Sequence, residues 1–206
     1  MIILIITLFS YLIGSIPFAY ILVKLNKKED IRNLGTGNVG AMNSYEITGK
    51  KWLGTAVFIL DALKGLIAVL TAKLLTDNDF LAISFASLLV ILGHNYSVFL
   101  KFKGGRGLST AVGAIMFISP LLILIWAIMW LVGYYLIKRD IHVGNITAII
   151  ATPIIFFIIP ENIIIMTTLI HPPSILLLKM LALLLCAVIF LRHVEPMKEL
   201  FNKKAG

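Results

Sequence analysis

The chain has 206 residues, 60% hydrophobic and 14% charged, with a mean hydropathy of +1.01 and a formal net charge of +8. Soluble domains carry roughly a quarter charged residues, so the long charge-poor runs mark an integral membrane protein and exclude a water-soluble globule. The Lys and Arg surplus falls in polar connections, where it reads as an orientation signal rather than a nucleic-acid surface, and the single Cys186 excludes an intrachain disulfide framework or cysteine metal cluster.

In chain order, Met1–Lys24 is the first expected span, interrupted by Gly14, Ser15 and Pro17. It lacks a basic leader and an A-x-A cleavage pattern, so it reads as a retained helix rather than a signal peptide. Asn26–Lys51 is the longest polar stretch and contains G-T-G-N-V-G-A-M-N at Gly35–Asn43. Trp52–Leu75 is the second span, and it carries Asp61 and Lys64 inside the apolar run. Their i, i+3 spacing puts them on one helix face, where pairing offsets the several kcal/mol that a lone intramembrane charge costs. Phe80–Leu100 is the third span and ends in Gly93-His94-Asn95, residues suited to capping or to ligation. Lys101–Thr110 follows as K-F-K-G-G-R-G-L-S-T.

Leu108–Ile137 is too long for one crossing: 30 residues extend about 45 Å at 1.5 Å each, against a hydrocarbon core of about 30 Å. Ser119-Pro120 lies within it, and proline interrupts a helix. Splitting it there gives a short span, Leu108–Ile118, and a second, Pro120–Ile137; Gly144–Ile159 and Ile175–Leu191 complete seven. With this parity the basic residues at 24–51, 101–106, 138–139 and from 192 onward share one side. The opposite connections, Thr76–Asp79 and Pro160–Ser174, carry no Lys or Arg. The positive-inside rule then places the N-terminus outside and the C-terminus in the cytoplasm. The expected architecture is an all-α, seven-helix membrane bundle, one domain over residues 1–206, with its polar motifs on the cytoplasmic face. The eleven-residue fourth span reaches only about 17 Å, so it must start within the protein, tilt, or sit in locally thinned membrane.

Two loops on that face have the chemistry of an anion site. In Lys101–Thr110, glycines at 104, 105 and 107 allow close backbone approach. Lys101, Lys103 and Arg106 supply positive charge, and a helix N-terminus follows. In Gly35–Asn43, glycines at 35, 37 and 40 bend the backbone between the amides Asn38 and Asn43. No G-x-x-x-x-G-K-[ST], G-x-S-x-G, H-E-x-x-H or H-x-x-x-x-D pattern occurs, so nucleotide hydrolysis, a serine nucleophile and a metal centre have no support. No cofactor or obligate protein partner is expected. His193, after Arg192 at the end of the last span, is the expected acid/base or orienting group.

The ordered series G-S-I-P-F (Gly14–Phe18), D-I-R-N-L-G-T-G-N-V-G-A-M-N, L-D-A-L-K-G (Leu60–Gly65), G-H-N-Y (Gly93–Tyr96), F-K-G-G-R-G-L-S-T (Phe102–Thr110) and R-H (Arg192-His193) resembles the PlsY family of bacterial acyl-phosphate:glycerol-3-phosphate acyltransferases. The resemblance spans nearly the whole chain. It implies a multi-pass protein of the bacterial cytoplasmic membrane with seven spans and a cytoplasmic active face. It also implies transfer of a fatty acyl group from acyl phosphate to the 1-hydroxyl of glycerol 3-phosphate, yielding lysophosphatidic acid and phosphate among bilayer lipids. The mixed anhydride is already activated, so positioning of two anions and a lipid tail suffices and no covalent intermediate is required.

Carried onto this sequence, the resemblance implies a substrate-binding set of Arg32, Thr36, Gly37, Asn38, Asn43, Lys103, Gly104, Gly105, Arg106, Gly107 and Asn145, with His193 as the catalytic residue. Thr36 stands for a family Ser and Arg106 for a family Lys, keeping the hydroxyl and the charge. Elsewhere the pattern changes: Glu46 replaces a family Arg, His142 and Asn145 replace serines, Pro196 replaces an Asn and Glu199 an Arg. An active acyltransferase with compensating residues is therefore weighed against a paralogue that uses another phosphorylated acceptor, or that binds a phospholipid or polyol phosphate without catalysis. A transporter has no marked pathway. Position 46 discriminates: Glu46 beside Arg32 or Arg106 implies an altered acceptor, and Glu46 in solvent leaves the standard one.

Overall fold

The computed structural model describes residues 1–202, with side chains described through Lys198; Glu199 thus lies outside the described side chains. Every regular element among the described residues is helical. Five helical runs among the described residues are long and apolar enough to cross a membrane: Ile2–Lys27, Lys51–Leu75, Phe80–Leu100, Pro120–Ile137 and Ile141–Ile158. The chain divides into two compact units, Met1–Phe117 and the remainder from Ile118.

In the first unit the opening run is broken into α1 (Ile2–Ser15) and α2 (Phe18–Lys27). Pro17 lacks an N–H, so the helical ladder stops there and nearby carbonyls lose their partners. α1 exposes Leu4, Leu8 and Leu12 as an i, i+4 stripe, as expected of a face turned to lipid. After a turn at Ile31–Asn33 come α3 (Ala41–Thr48), α4 (Lys51–Leu75) and α5 (Phe80–Asn95). Asp79 caps α5 by accepting from Leu81 and Ala82 N–H. A turn at Val98–Leu100 leads through the basic loop to α6 (Leu108–Met116).

Small residues set the two closest helix contacts. A β-carbon on Gly14 would collide with Val90 O, and one on Gly93 with Tyr11 O, so α1 and α5 touch backbone to backbone. Gly65 against Thr110 O and Gly113 against Ala62 O do the same for α4 and α6. In an apolar solvent, where lipid is as apolar as leucine, such close packing is what holds helices together. The contact also explains the short fourth segment. Thr110, in its first turn, meets Gly65 near the middle of α4, so α6 starts inside the unit.

In the second unit α7 (Pro120–Val132) runs into a wide final turn over Gly133–Ile137 and packs on α8 (Ile141–Ile158). The break anticipated at Ser119-Pro120 is present. Pro120 takes the first helical position of α7, where its missing N–H costs nothing. α9 (Glu161–Thr167), α10 (Ile175–Leu191) and α11 (Val194–Asn202) follow. α10 has 17 residues and is apolar, shorter than the five long runs. Its buried Lys179 donates to Phe157 O at 3.1 Å, satisfying a carbonyl in the last turn of α8.

Candidate functional site: two loops over a buried charge cluster

The first unit brings the two glycine-containing loops together. Val39 O lies against Gly105, and Arg32 Nη1 donates to Leu100 O at 3.4 Å. Asn43, 2% exposed, organises the 34–43 loop from within: its Oδ1 accepts from Thr36 N–H at 3.0 Å, and its Nδ2 donates to Leu34 O and Asn38 O at 3.2 and 2.9 Å. Gly37, at φ +68°, takes a left-handed turn that disfavours a side chain. Asn43 thus shapes the loop, whereas Thr36 is exposed and Asn38 half-buried.

Arg32 is engaged in the same way. Its Nε reaches Asp30 Oδ1 at 3.0 Å and its Nη2 reaches Oδ2 at 2.6 Å, a two-pronged pair stacked over Tyr20 at 5.5 Å. The Arg32 guanidinium holds the Asp30 carboxyl below the usual carboxylate range, chiefly through these hydrogen bonds. Arg32 therefore ties the turn at 31–33 to the loop after α5.

The glycines of the basic loop have a use that composition did not reveal. Gly104 N–H donates to Asn95 O at 3.2 Å and Gly105 N–H to His94 O at 2.9 Å, so both amides are committed to the end of α5. Both glycines are buried, and a β-carbon on either would collide with His94. Their small size lets the loop lie flat on α5 rather than exposing backbone to a ligand. The backbone donors that remain for an anion belong to the opening of α6. Gly107 turns the chain at φ +83°, and the first N–H inside the helical ladder is that of Ala111, bonded to Gly107 O. Arg106 is half-buried beside this helix start and Lys103 is exposed.

Beneath the loop lies a charge cluster. Lys64 Nζ contacts Asp61 Oδ1 at 2.7 Å, His94 Nδ1 at 2.9 Å and Ile16 O at 3.0 Å. The pairing of Asp61 with Lys64 was legible from their spacing; the inclusion of His94 and Ile16 was not. The G-H-N at the end of α5 and the G-S-I-P break in the first run were the available signals. Ser15 O, also near that break, accepts from Ser97 Oγ at 2.5 Å.

Glu46 is exposed on α3 and forms no ion pair among the described residues; Arg32 has Asp30 instead. The remaining expected residues lie in the second unit. Asn145, 7% exposed, accepts from Trp130 Nε1 at 2.9 Å. His142 opens α8, its backbone N–H held by Asp140. His193 is 1% exposed, with Nδ1 at 2.9 Å from Ile189 O. A carbonyl there fixes the proton on Nδ1 and makes Nε2 the basic nitrogen.

The sequence profile of the glycerol-3-phosphate acyltransferase family matches residues 4–203. A glycerol-3-phosphate acyltransferase of Pelagibacter ubique is 39% identical over 201 residues, covering 98% of this chain and 95% of the relative. The enzyme of that name from Aquifex aeolicus is 43% identical over 155 residues, 75% of this chain and 79% of the relative. Among solved structures, PlsY, described as an integral membrane glycerol 3-phosphate acyltransferase, superimposes in its glycerol 3-phosphate form with a TM-score of 0.80. The identity is 35%, with 98% of this chain and 94% of the other covered. Its lysophosphatidic acid form gives a TM-score of 0.77, again at 35% identity and covering 98% and 93%. The chain belongs to the glycerol-3-phosphate acyltransferase family.

Proposed function

We propose that this chain transfers a fatty acyl group from acyl phosphate to the 1-hydroxyl of glycerol 3-phosphate at the cytoplasmic face of a bacterial membrane. Family membership makes it an acyltransferase of phospholipid synthesis. The donor, the hydroxyl, the sidedness, the seven-span topology with N-terminus out, and the action of residues 1–206 as one domain are the proposed refinements. The glycerol 3-phosphate and lysophosphatidic acid forms of the PlsY structure support the acceptor and product.

The observation that carries the reading is the seating of the 101–107 loop against the 35–43 loop at the N-terminus of α6. A phosphate there meets unpaired helix N–H groups and the charges of Arg106 and Lys103. Thr36, Gly37, Asn38 and Gly107 line this region or shape it. Asn43, Gly104 and Gly105 act through the backbone they hold. The hydroxyl oxygen attacks the acyl carbon, the acyl–phosphate C–O bond breaks, and phosphate leaves with that electron pair. His193 Nε2 or the departing phosphate takes the hydroxyl proton. His193 and Asn145 enter the proposal on their match to the family pattern. Exposure of Glu46 away from Arg32 favours the standard acceptor over another polyol phosphate.

The decisive experiment supplies purified protein with acyl phosphate and glycerol 3-phosphate, other polyol phosphates, or no acceptor, and follows phosphate and lysophosphatidic acid. Turnover with glycerol 3-phosphate is expected, with a loss of 100-fold or more on Arg106→Ala and retention of much of it in Arg106→Lys. Turnover only with a different acceptor, or none, refutes the reading.

A further inference from the structure

The cluster beneath the basic loop has a role that neither the loop chemistry nor the pairing of Asp61 with Lys64 supplies. Lys64 Nζ meets Asp61 Oδ1, His94 Nδ1 and Ile16 O at 3.0 Å or less, and His94 Nδ1 also lies 3.5 Å from Asp61 Oδ1. The Nδ1 edge of His94 is thus held between Lys64 and Asp61. The opposite edge of the ring carries Nε2, the atom that a β-carbon on Gly105 would strike. His94 also holds the loop through its own carbonyl, which accepts Gly105 N–H at 2.9 Å. Lys64 is 2% exposed, Asp61 1% and His94 7%, so no water shell competes with this arrangement. Lys64, His94, Gly104 and Gly105 line one cleft together with Pro17 and Val39.

A pair that served only to lock α4 in place would be complete with Asp61 and Lys64. The third partner is the side chain whose far edge abuts the loop. We infer that His94, oriented by Lys64 and Asp61, is a positioning residue that sets the resting place of Gly104-Gly105, and through it where Arg106 and the start of α6 present charge to the acceptor phosphate. This rests on the acyltransferase reading, because it assigns the loop to glycerol 3-phosphate.

The test uses the full-length protein in detergent or reconstituted vesicles. His94→Asn keeps an acceptor near the Nδ1 position for Lys64 but withdraws the edge facing Gly105. His94→Gln places an amide near the Nε2 position instead. The expected result is a rise of tenfold or more in KM for glycerol 3-phosphate in His94→Asn, with kcat changed less than threefold. His94→Gln should recover most of that rise. Hydrogen exchange adds a readout that does not depend on turnover. The amides of 104 and 105 should exchange at least tenfold faster in His94→Asn, while those of the α1–α5 contact stay at the wild-type rate. Equal KM in wild type and His94→Asn, or unaltered exchange at 104 and 105, overturns the inference. A parallel loss of kcat, KM and α1–α5 protection also overturns it, by reducing His94 to a general packing residue. Absence of turnover in the wild type would instead count against the acyltransferase reading, and the exchange measurement would still judge the positioning role.

Discussion

Asn43 grips Thr36 through the backbone rather than through its hydroxyl: Asn43 Oδ1 takes the Thr36 N–H at 3.0 Å while the same amide donates to Leu34 O and Asn38 O. One side chain therefore closes three points of the 34–43 loop. Replacing it by Asp keeps the acceptor but sets a carboxylate against two carbonyl oxygens. At about 1 kcal/mol per hydrogen bond, plus the cost of the unmatched charge, Asn43→Asp should destabilise the first unit by roughly 2–4 kcal/mol. A thermal melt in detergent measures this, and a melting temperature equal to wild type contradicts the assignment. The variant should also lose most turnover.

The Asp30–Arg32 pair gives a signed pH dependence. Asp30 titrates below its ordinary value in the folded protein because Arg32 hydrogen-bonds its charged form. The stabilisation is therefore complete above about pH 4, the unfolded value, and is lost as pH falls through the depressed folded value. Both side chains are about a quarter exposed, so its size should be no more than about 1 kcal/mol. Melting temperatures from pH 7 down to 3 should show wild type converging on Asp30→Asn at the acid end. A gap that widens there would have the wrong sign.

Glu46 is exposed and without an ion-pair partner, so Glu46→Gln should move stability by less than about 0.5 kcal/mol. Removing this solvent-facing negative charge should hold or lower KM for glycerol 3-phosphate. A marked loss of turnover would mean that the glutamate acts on the acceptor.

Gly113 offers the sharpest packing test. Its Cα faces Ala62 O, and even one methyl group collides with backbone that cannot yield without separating α4 from α6. Gly113→Val should cost more than about 2 kcal/mol and reduce folded yield. Normal yield and turnover would show that the two helices part more readily than their contact suggests.

How much was legible beforehand follows from which forces are local. The broken helix at Ser119-Pro120 and the paired charges in α4 each follow from proline geometry or spacing. Gly104 and Gly105 misled, because flexibility and close packing draw on the same lack of a β-carbon. Only the partner, here the end of α5, tells them apart. The third corner of the charge cluster was hidden for a related reason: His94 lies 30 residues from Lys64, and no periodicity connects them. The pairing of Arg32, expected among the substrate-binding residues, with the carboxylate two positions earlier was likewise not legible in the sequence.

The break at Pro17 acquires a meaning in the order of synthesis. Lys64 emerges from the ribosome as an ammonium bound for the bilayer, with Asp61 made three residues earlier and Ile16 O already present in the preceding run. Two of its three polar neighbours therefore exist before it does, and the third, His94, arrives one helix later. The interruption at Pro17 leaves the Ile16 carbonyl outside the regular ladder, where it accepts from both Phe18 N–H at 3.2 Å and Lys64 Nζ at 3.0 Å. The basic loop rests on His94 O and Asn95 O, so its seat is complete only once α5 is in place.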